Sequence, residues 1–138
     1  MATVIAENLI LTGNDKEPFW GNSVLVPVPL DRKKLKQRGY NQSEELAKEL
    51  SKITNIPVLS DVLIKTKTTA SQMKLNKEER QSNIQGAFTV QNPSEIEGKK
   101  VFLIDDVYTT GSTMEECANV LRTYRTNRVF GLVIAREE

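Results

Sequence analysis

At 138 residues, with 19 Lys and Arg against 18 Asp and Glu, the chain is close to neutral and long enough for one domain with a core, but not two. Its composition, 38% apolar and 27% charged, is neither that of a disordered chain nor that of a membrane-embedded one, and no apolar run approaches the roughly 18 residues of a membrane span. One cysteine, Cys117, excludes an intrachain disulfide, and with no His there is no compact Cys/His zinc site and no His-based nucleophilic centre. Any acid–base step must use Asp, Glu, Lys or Tyr. The N-terminus, MATVIAENLILTGNDKEPFW, lacks the basic start and apolar stretch of a signal peptide, so a cytoplasmic protein without membrane insertion is expected.

Residues 1–23 carry some apolar character in VIAENLIL and a turn signal at Gly13-Asn14-Asp15. Val24 to Val28 is a β-branched run ended by Pro27 and Pro29 and reads as a strand leaving its sheet. Residues 31–41 read as a basic loop. From Gln42 to about Ile53 the spacing predicts a helix with Leu46, Ala47, Leu50 and Ile53 on one face. Asn41 with Glu44 would cap its start, and Pro57 follows its end. Val58 to Ile64 is the next predicted strand. Residues 65–85 are polar and long for a structureless connection, a length typical of lids. Ala87 to Val90 is a short strand, followed by a turn at Asn92-Pro93. Val101 to Ile104 is a buried strand. A helix from Met114 to Tyr124 presents Cys117, Leu121 and Tyr124 on one face, with capping boxes available at Ser112/Glu115 and Thr113/Glu116. Val129 to Ala135 reads as a last strand, buried on both faces because its apolar run is continuous. Alternating strands and helices predict an α/β fold, a parallel sheet with helices on both faces, whose ligands bind outside the carboxyl ends of the strands.

The chemistry concentrates in VFLIDDVYTTGST, Val101 to Thr113. A buried strand ends in adjacent carboxylates, Asp105 and Asp106. Next comes a hydroxyl-rich cradle, Thr109, Thr110, Gly111, Ser112 and Thr113, directly before a helix. Free N–H groups and the positive helix end suit a phosphate there. The net charge of +1 hides an uneven distribution: ten of the 19 Lys and Arg residues fall in segments 32–38 and 65–80. The first of these lies in VPVPLDRKKLKQRGYNQ, which follows a strand and joins basic residues to Gly39, a combination able to supply charge and close backbone donors to an anion.

The Val101–Thr113 pattern resembles the phosphoribosyl pyrophosphate (PRPP) motif of type I phosphoribosyltransferases, and fits it at all thirteen positions. VPVPL followed by Arg38-Gly39-Tyr40-Asn41-Gln42 and a Leu-Ala helix is similar to the ComF competence family within that superfamily. So is Thr68 to Phe88, through Gln72, Leu75, Arg80, Asn83, Gly86, Ala87 and Phe88. The resemblance runs from about Val24 to Ala135. It implies one type I phosphoribosyltransferase-like domain over 1–138, with 24–135 as core, 1–23 as a minimal hood or N-terminal extension, and a flexible loop over the site. It departs from many ComF proteins in lacking a four-cysteine zinc module before the first core strand. The hood that selects the acceptor would therefore be very small, or supplied by another chain as in a homodimer. Phe19 and Trp20 could stack on a base or cover core surface.

By resemblance, Asp105 and Asp106 would meet the ribose hydroxyls as the catalytic pair, and Thr109 to Thr113 would wrap the 5′-phosphate. Arg38, Gly39, Lys67 and Arg80 are the residues proposed on the pyrophosphate side. Mg²⁺ would arrive with PRPP and reach Asp105 and Asp106 only through water. The implied reaction transfers phosphoribosyl from PRPP to an unidentified nitrogen acceptor, such as a nucleobase. The alternative implied by the same family is a non-catalytic competence factor that uses the fold as a sensor, or as a docking module for a helicase, DNA-processing proteins or single-stranded DNA. Direct DNA binding is the weaker reading, because the basic segments hold Tyr40 but little aromatic interleaving.

Overall fold

The computed structural model of the chain describes residues 21–66, 86–106 and 112–133. Strand β1 (Ser23–Pro27) is buried along its whole length. It pairs in parallel with β4 (Lys100–Asp105), which pairs in parallel with β5 (Arg128–Val133), giving the order β1-β4-β5. A single parallel bridge between Leu25 and Val58 continues the sheet beyond β1, fixed by the Leu25 and Leu59 amides.

Side chains alternate across a strand, and here the alternation builds two cores. Val24, Val26, Val101 and Leu103 point to one face, where they meet Cys117, Ala118 and Leu121 of helix α3 (Ser112–Arg122). Leu25, Phe102 and Ile104 point to the other, against Leu46, Ala47 and Leu50 of helix α2 (Gln42–Thr54). Helices on both faces of a parallel sheet are what the strand–helix alternation predicted. Each fully buried Leu, such as Leu50 or Leu121, contributes about 2 kcal/mol through apolar area removed from water.

Helix α2 spans nearly the predicted range. Asn41 caps it, its Oδ1 accepting from the Ser43 N–H at 3.1 Å, and Asn55 ends it in the left-handed region. Glu44 does not complete a capping box; it lies 3.5 Å from Lys48 one turn on. Ile53, predicted on the buried face, is exposed, because it lies in the last turn beyond the face that packs on the sheet.

Four further readings are corrected. The basic loop at 31–41 contains a helix, α1 (Arg32–Arg38). Asp31 starts it by accepting from the Lys34 N–H at 2.8 Å, and Gly39 ends it at φ 81°, a conformation costly for any residue with a Cβ. Val58 to Ile64 is not one strand: Val58 bridges to Leu25, whereas β2 (Leu63–Lys65) turns away to pair antiparallel with β3 (Phe88–Val90). Ser60 and Asp61 lie at the bend between them. β5 is not buried on both faces; Arg128 and Gly131 are exposed and the rest is half-buried, since among the described residues its one strand neighbour is β4. The Phe130 ring stacks on Phe102 with centroids 5.0 Å apart. Finally, α3 begins at Ser112, so Ser112 and Thr113 both lie within the helix and neither expected capping box starts it.

Candidate functional site

β1 and β4 run parallel with Pro27 opposite Ile104, so the segments that follow them leave the same edge of the sheet. The Val28 N–H donates to the Ile104 carbonyl at 2.9 Å and extends the pairing by one step. Beyond it β4 ends in Asp105 and Asp106, both half-buried. The Asp105 Oδ1 accepts from the Asp106 N–H at 2.9 Å and from the Ser43 hydroxyl at 3.4 Å. The acidic pair therefore sits where the motif put it, on a strand whose four preceding residues are buried.

Thr113 and the start of α3 follow on the same segment. Thr109, Thr110 and Gly111, and the side chain of Ser112, lie outside the described residues, as do Lys67, Arg80, Phe19 and Trp20. The points where segment 67–85 departs and returns are fixed, however. The Thr66 N–H donates to the Ala87 carbonyl at 2.8 Å, and the Gly86 N–H donates to Glu116 Oε1 of α3 at 3.4 Å. The segment thus leaves and rejoins the fold at neighbouring positions beside the first turns of α3.

Arg38 and Gly39 are exposed at the end of α1. That helix buries none of its residues and carries Arg32, Lys33, Lys34, Lys36 and Arg38 with no acid in its first turn. It is a short cationic element beyond β1, on the same sheet edge as the acids beyond β4.

Three side chains that sequence reasoning passed over organise this edge. Asp31, only 3% exposed, caps α1 and faces Lys65 Nζ at 4.0 Å. Burial lowers the Lys65 pKa, Lys34 lowers it further, and Asp31 opposes both. Its ammonium also lies 5.8 Å from the centre of the Phe88 ring. Ser43, equally buried, reaches across to Asp105. The signal for Asp31 was present, since an Asp three residues before Lys34 and eight before Gly39 brackets a short helix; for Ser43 none was.

The Cys117 thiol on α3 is buried: burial pushes its pKa up, Asp105 and Glu116 add to the rise, and Lys65 opposes it. A cleft of about 550 Å³ opens alongside, between α1, β2 and the start of α2, lined among others by Leu30, Asp31, Leu35, Ile64 and Lys65. Neither Asp105 nor Asp106 lines it. The acidic pair, rather than this cleft, defines the candidate site. No group of three or more His, Cys, Asp or Glu residues among the described residues is arranged to hold a metal ion, and no described helix is long and apolar enough to cross a membrane.

Comparison with known proteins adds family to geometry. Residues 35–136 match the phosphoribosyl transferase domain family. The chain is 37% identical over 99 residues to Competence protein F of Haemophilus influenzae, covering 71% of this chain and 43% of that protein. It is 36% identical over 97 residues to DNA utilization protein YhgH of Escherichia coli, covering 70% and 42%. It is also 36% identical over 98 residues to Competence protein ComFC of Bacillus subtilis, covering 71% and 38%. The chain thus spans less than half the length of these curated relatives. Among solved structures, a hypoxanthine phosphoribosyltransferase from Staphylococcus aureus superposes with a TM-score of 0.55 at 16% identity, over 96% of this chain and 63% of that one. The glutamine PRPP amidotransferase of B. subtilis gives 0.52 at 20% identity, over 80% and 22%.

Proposed function

The chain belongs to the phosphoribosyl transferase domain family, in its ComF competence branch, and from that premise we propose that it binds PRPP at the carboxyl ends of β1 and β4 and transfers the phosphoribosyl group to a nitrogen acceptor. The observation that carries the reading is the acidic pair Asp105–Asp106, set at the end of a buried parallel strand just before the start of α3.

The ribose 2′- and 3′-hydroxyls donate to the two carboxylates. Asp105 and Asp106 also place negative charge beside a ring that becomes cationic as the bond to pyrophosphate breaks, and such charge is worth most when fixed in advance. The 5′-phosphate takes its donors from Thr109 to Thr113 and the first N–H groups of α3, aided by the helix dipole. The departing pyrophosphate, strongly anionic, is met by Arg38 and the Gly39 backbone, with Lys67 and Arg80 from segment 67–85. Exclusion of water over the cationic centre falls to that same segment. Adjacent carboxylates are hard oxygen donors that suit Mg²⁺ through its retained waters, and no three-ligand cluster is needed for a cation that arrives with its diphosphate. Mg²⁺ bound there would supply charge neutralisation to the leaving group.

The relatives' names, competence protein and DNA utilization protein, support a place for this activity in DNA uptake. A ligand-responsive docking module for the DNA-handling machinery uses the same site without transfer. Calorimetric titration of PRPP, with and without Mg²⁺, tests the reading. Wild type is expected to bind. The Asp105→Asn, Asp106→Asn double variant is expected to bind about 30- to 100-fold more weakly, because two charge-assisted hydrogen bonds fall to neutral strength, a loss of about 1–1.5 kcal/mol each. Wild-type affinity in a folded double variant would sink the assignment. Binding without pyrophosphate release across a panel of nitrogen bases would favour the docking module.

A further inference from the structure

Asp105 meets a side chain from a distant part of the chain: Ser43, 62 residues away, whose hydroxyl donates to its Oδ1. Ser43 is 3% exposed, and it is the buried residue in the first turn of its helix, where Gln42 and Glu44 are half-buried and Glu45 is exposed. Its backbone is fixed from below, since its N–H donates to the Asn41 side chain. The Asn41 Nδ2 in turn donates to the Val28 carbonyl at 3.0 Å, and the Val28 N–H donates to the Ile104 carbonyl, next to Asp105. A closed circuit therefore runs from the end of β1, through the cap of α2, to Ser43 and the end of β4. The Asn41 clamp sets the height of the Ser43 hydroxyl against the sheet edge, and that hydroxyl meets the same carboxylate oxygen as the Asp106 N–H.

We propose that Ser43 is a positioning residue for Asp105: it orients the carboxylate toward the ribose hydroxyls, and the Asn41–Ser43 turn exists to hold it there. The inference rests on the PRPP reading of the site and names a residue that reading does not require. At 3.4 Å the bond is longer than a tight O–H···O contact, so Ser43 restrains the orientation of the carboxylate without locking it. A carboxylate aimed in advance spends less of the binding free energy on its own ordering. Ser43 itself touches no part of the ligand.

This predicts an effect split by ligand fragment. Ribose 5-phosphate carries the hydroxyls that Asp105 reads; inorganic pyrophosphate does not. Ser43→Ala keeps a good helix former in α2. It is expected to weaken PRPP and ribose 5-phosphate binding about three- to tenfold, the scale of ordering one carboxylate that is no longer aimed in advance, while pyrophosphate binding stays unchanged. Ser43→Thr, which keeps the hydroxyl, is expected to restore most of the sugar-phosphate affinity. Calorimetry with the three ligands on wild type and both variants reads this out. A Ser43→Ala protein that binds ribose 5-phosphate like wild type overturns the inference alone. Equal loss for ribose 5-phosphate and pyrophosphate overturns it too, as the mark of a purely structural role. A wild type that binds neither PRPP nor ribose 5-phosphate removes the PRPP reading and this inference together.

Discussion

β1 and β4 lie side by side and end at one edge of the sheet, but they leave it with opposite chemistry and on different foundations. β4 ends in Asp105 and Asp106 after four buried residues, and the Asp105 carboxylate is held by a neighbouring amide and by Ser43. β1 ends in α1, a seven-residue cationic helix that buries none of its residues. Isolated helices this short are unstable in water, so α1 must stand on its caps and on Asp31, which ties it to Lys65 of β2. The acidic end is preorganised by the core. The cationic end hangs from a few polar contacts.

That contrast is most easily broken at Asp31. Asp31→Ala removes the α1 cap, worth about 1 kcal/mol, and also takes a counter-charge away from the half-buried Lys65, adding about 1–2 kcal/mol for a pair this loose. A total loss of about 2–3 kcal/mol in urea unfolding is expected, with Asp31→Asn, which still caps, losing clearly less. Amide exchange across α1 should accelerate in both variants while β4 exchange follows only the global change. Equal stability of Asp31→Ala and wild type would mean that α1 has another support.

The same contrast explains what could be read from the sequence. The acidic end was legible because residue class is constrained at every position from Val101 to Thr113, and buried strands advertise themselves as apolar runs. The cationic end was legible only in charge. RKKLKQR has one apolar residue, Leu35, so no periodicity could reveal a helix; Asp31 and Gly39 were its sole signals. The run from Val58 to Ile64 was apolar enough for a strand, but its composition cannot say that Val58 faces β1 while Leu63 faces β3. β5 is apolar yet lies at an edge among the described residues, because continuity of a run does not report how many neighbours it has. Ser43 was invisible for a simpler reason: its partner lies 62 residues away, and a serine near a helix start is ordinary.

The acidic end can be probed from beneath through Cys117, which is fully buried. Burial pushes its thiol above the ordinary value of 9.0, with Asp105 and Glu116 adding to the effect. The folded protein then keeps the thiol proton where the unfolded chain releases it. The stability this thiol contributes is whole below pH 9.0 and is lost as pH rises above it, at a limiting slope of about 1.4 kcal/mol per pH unit. Cys117→Ala should unfold more easily at neutral pH, for lack of packing, yet fall less steeply in alkali. The two stabilities should therefore converge between about pH 9 and pH 10. Parallel curves would show that the thiol beneath Asp105 titrates normally.

The smallest expected effect lies at the tip of the cationic end. Arg38 is exposed in the last turn of α1, and its proposed interaction with pyrophosphate is solvent-screened. Arg38→Gln should therefore cost only about 1 kcal/mol of PRPP affinity, roughly fivefold, with no measurable change in stability. Its signature is salt. Screening weakens exposed charge pairs over about 8–10 Å at physiological ionic strength, so the gap between wild type and Arg38→Gln should close as salt is added. The gap between wild type and Ser43→Ala, set by a buried hydroxyl beside the acidic pair, should persist. If salt erased both gaps alike, the two ends of the site would not differ in foundation, and the division between a preorganised acidic end and a screened cationic end would fail.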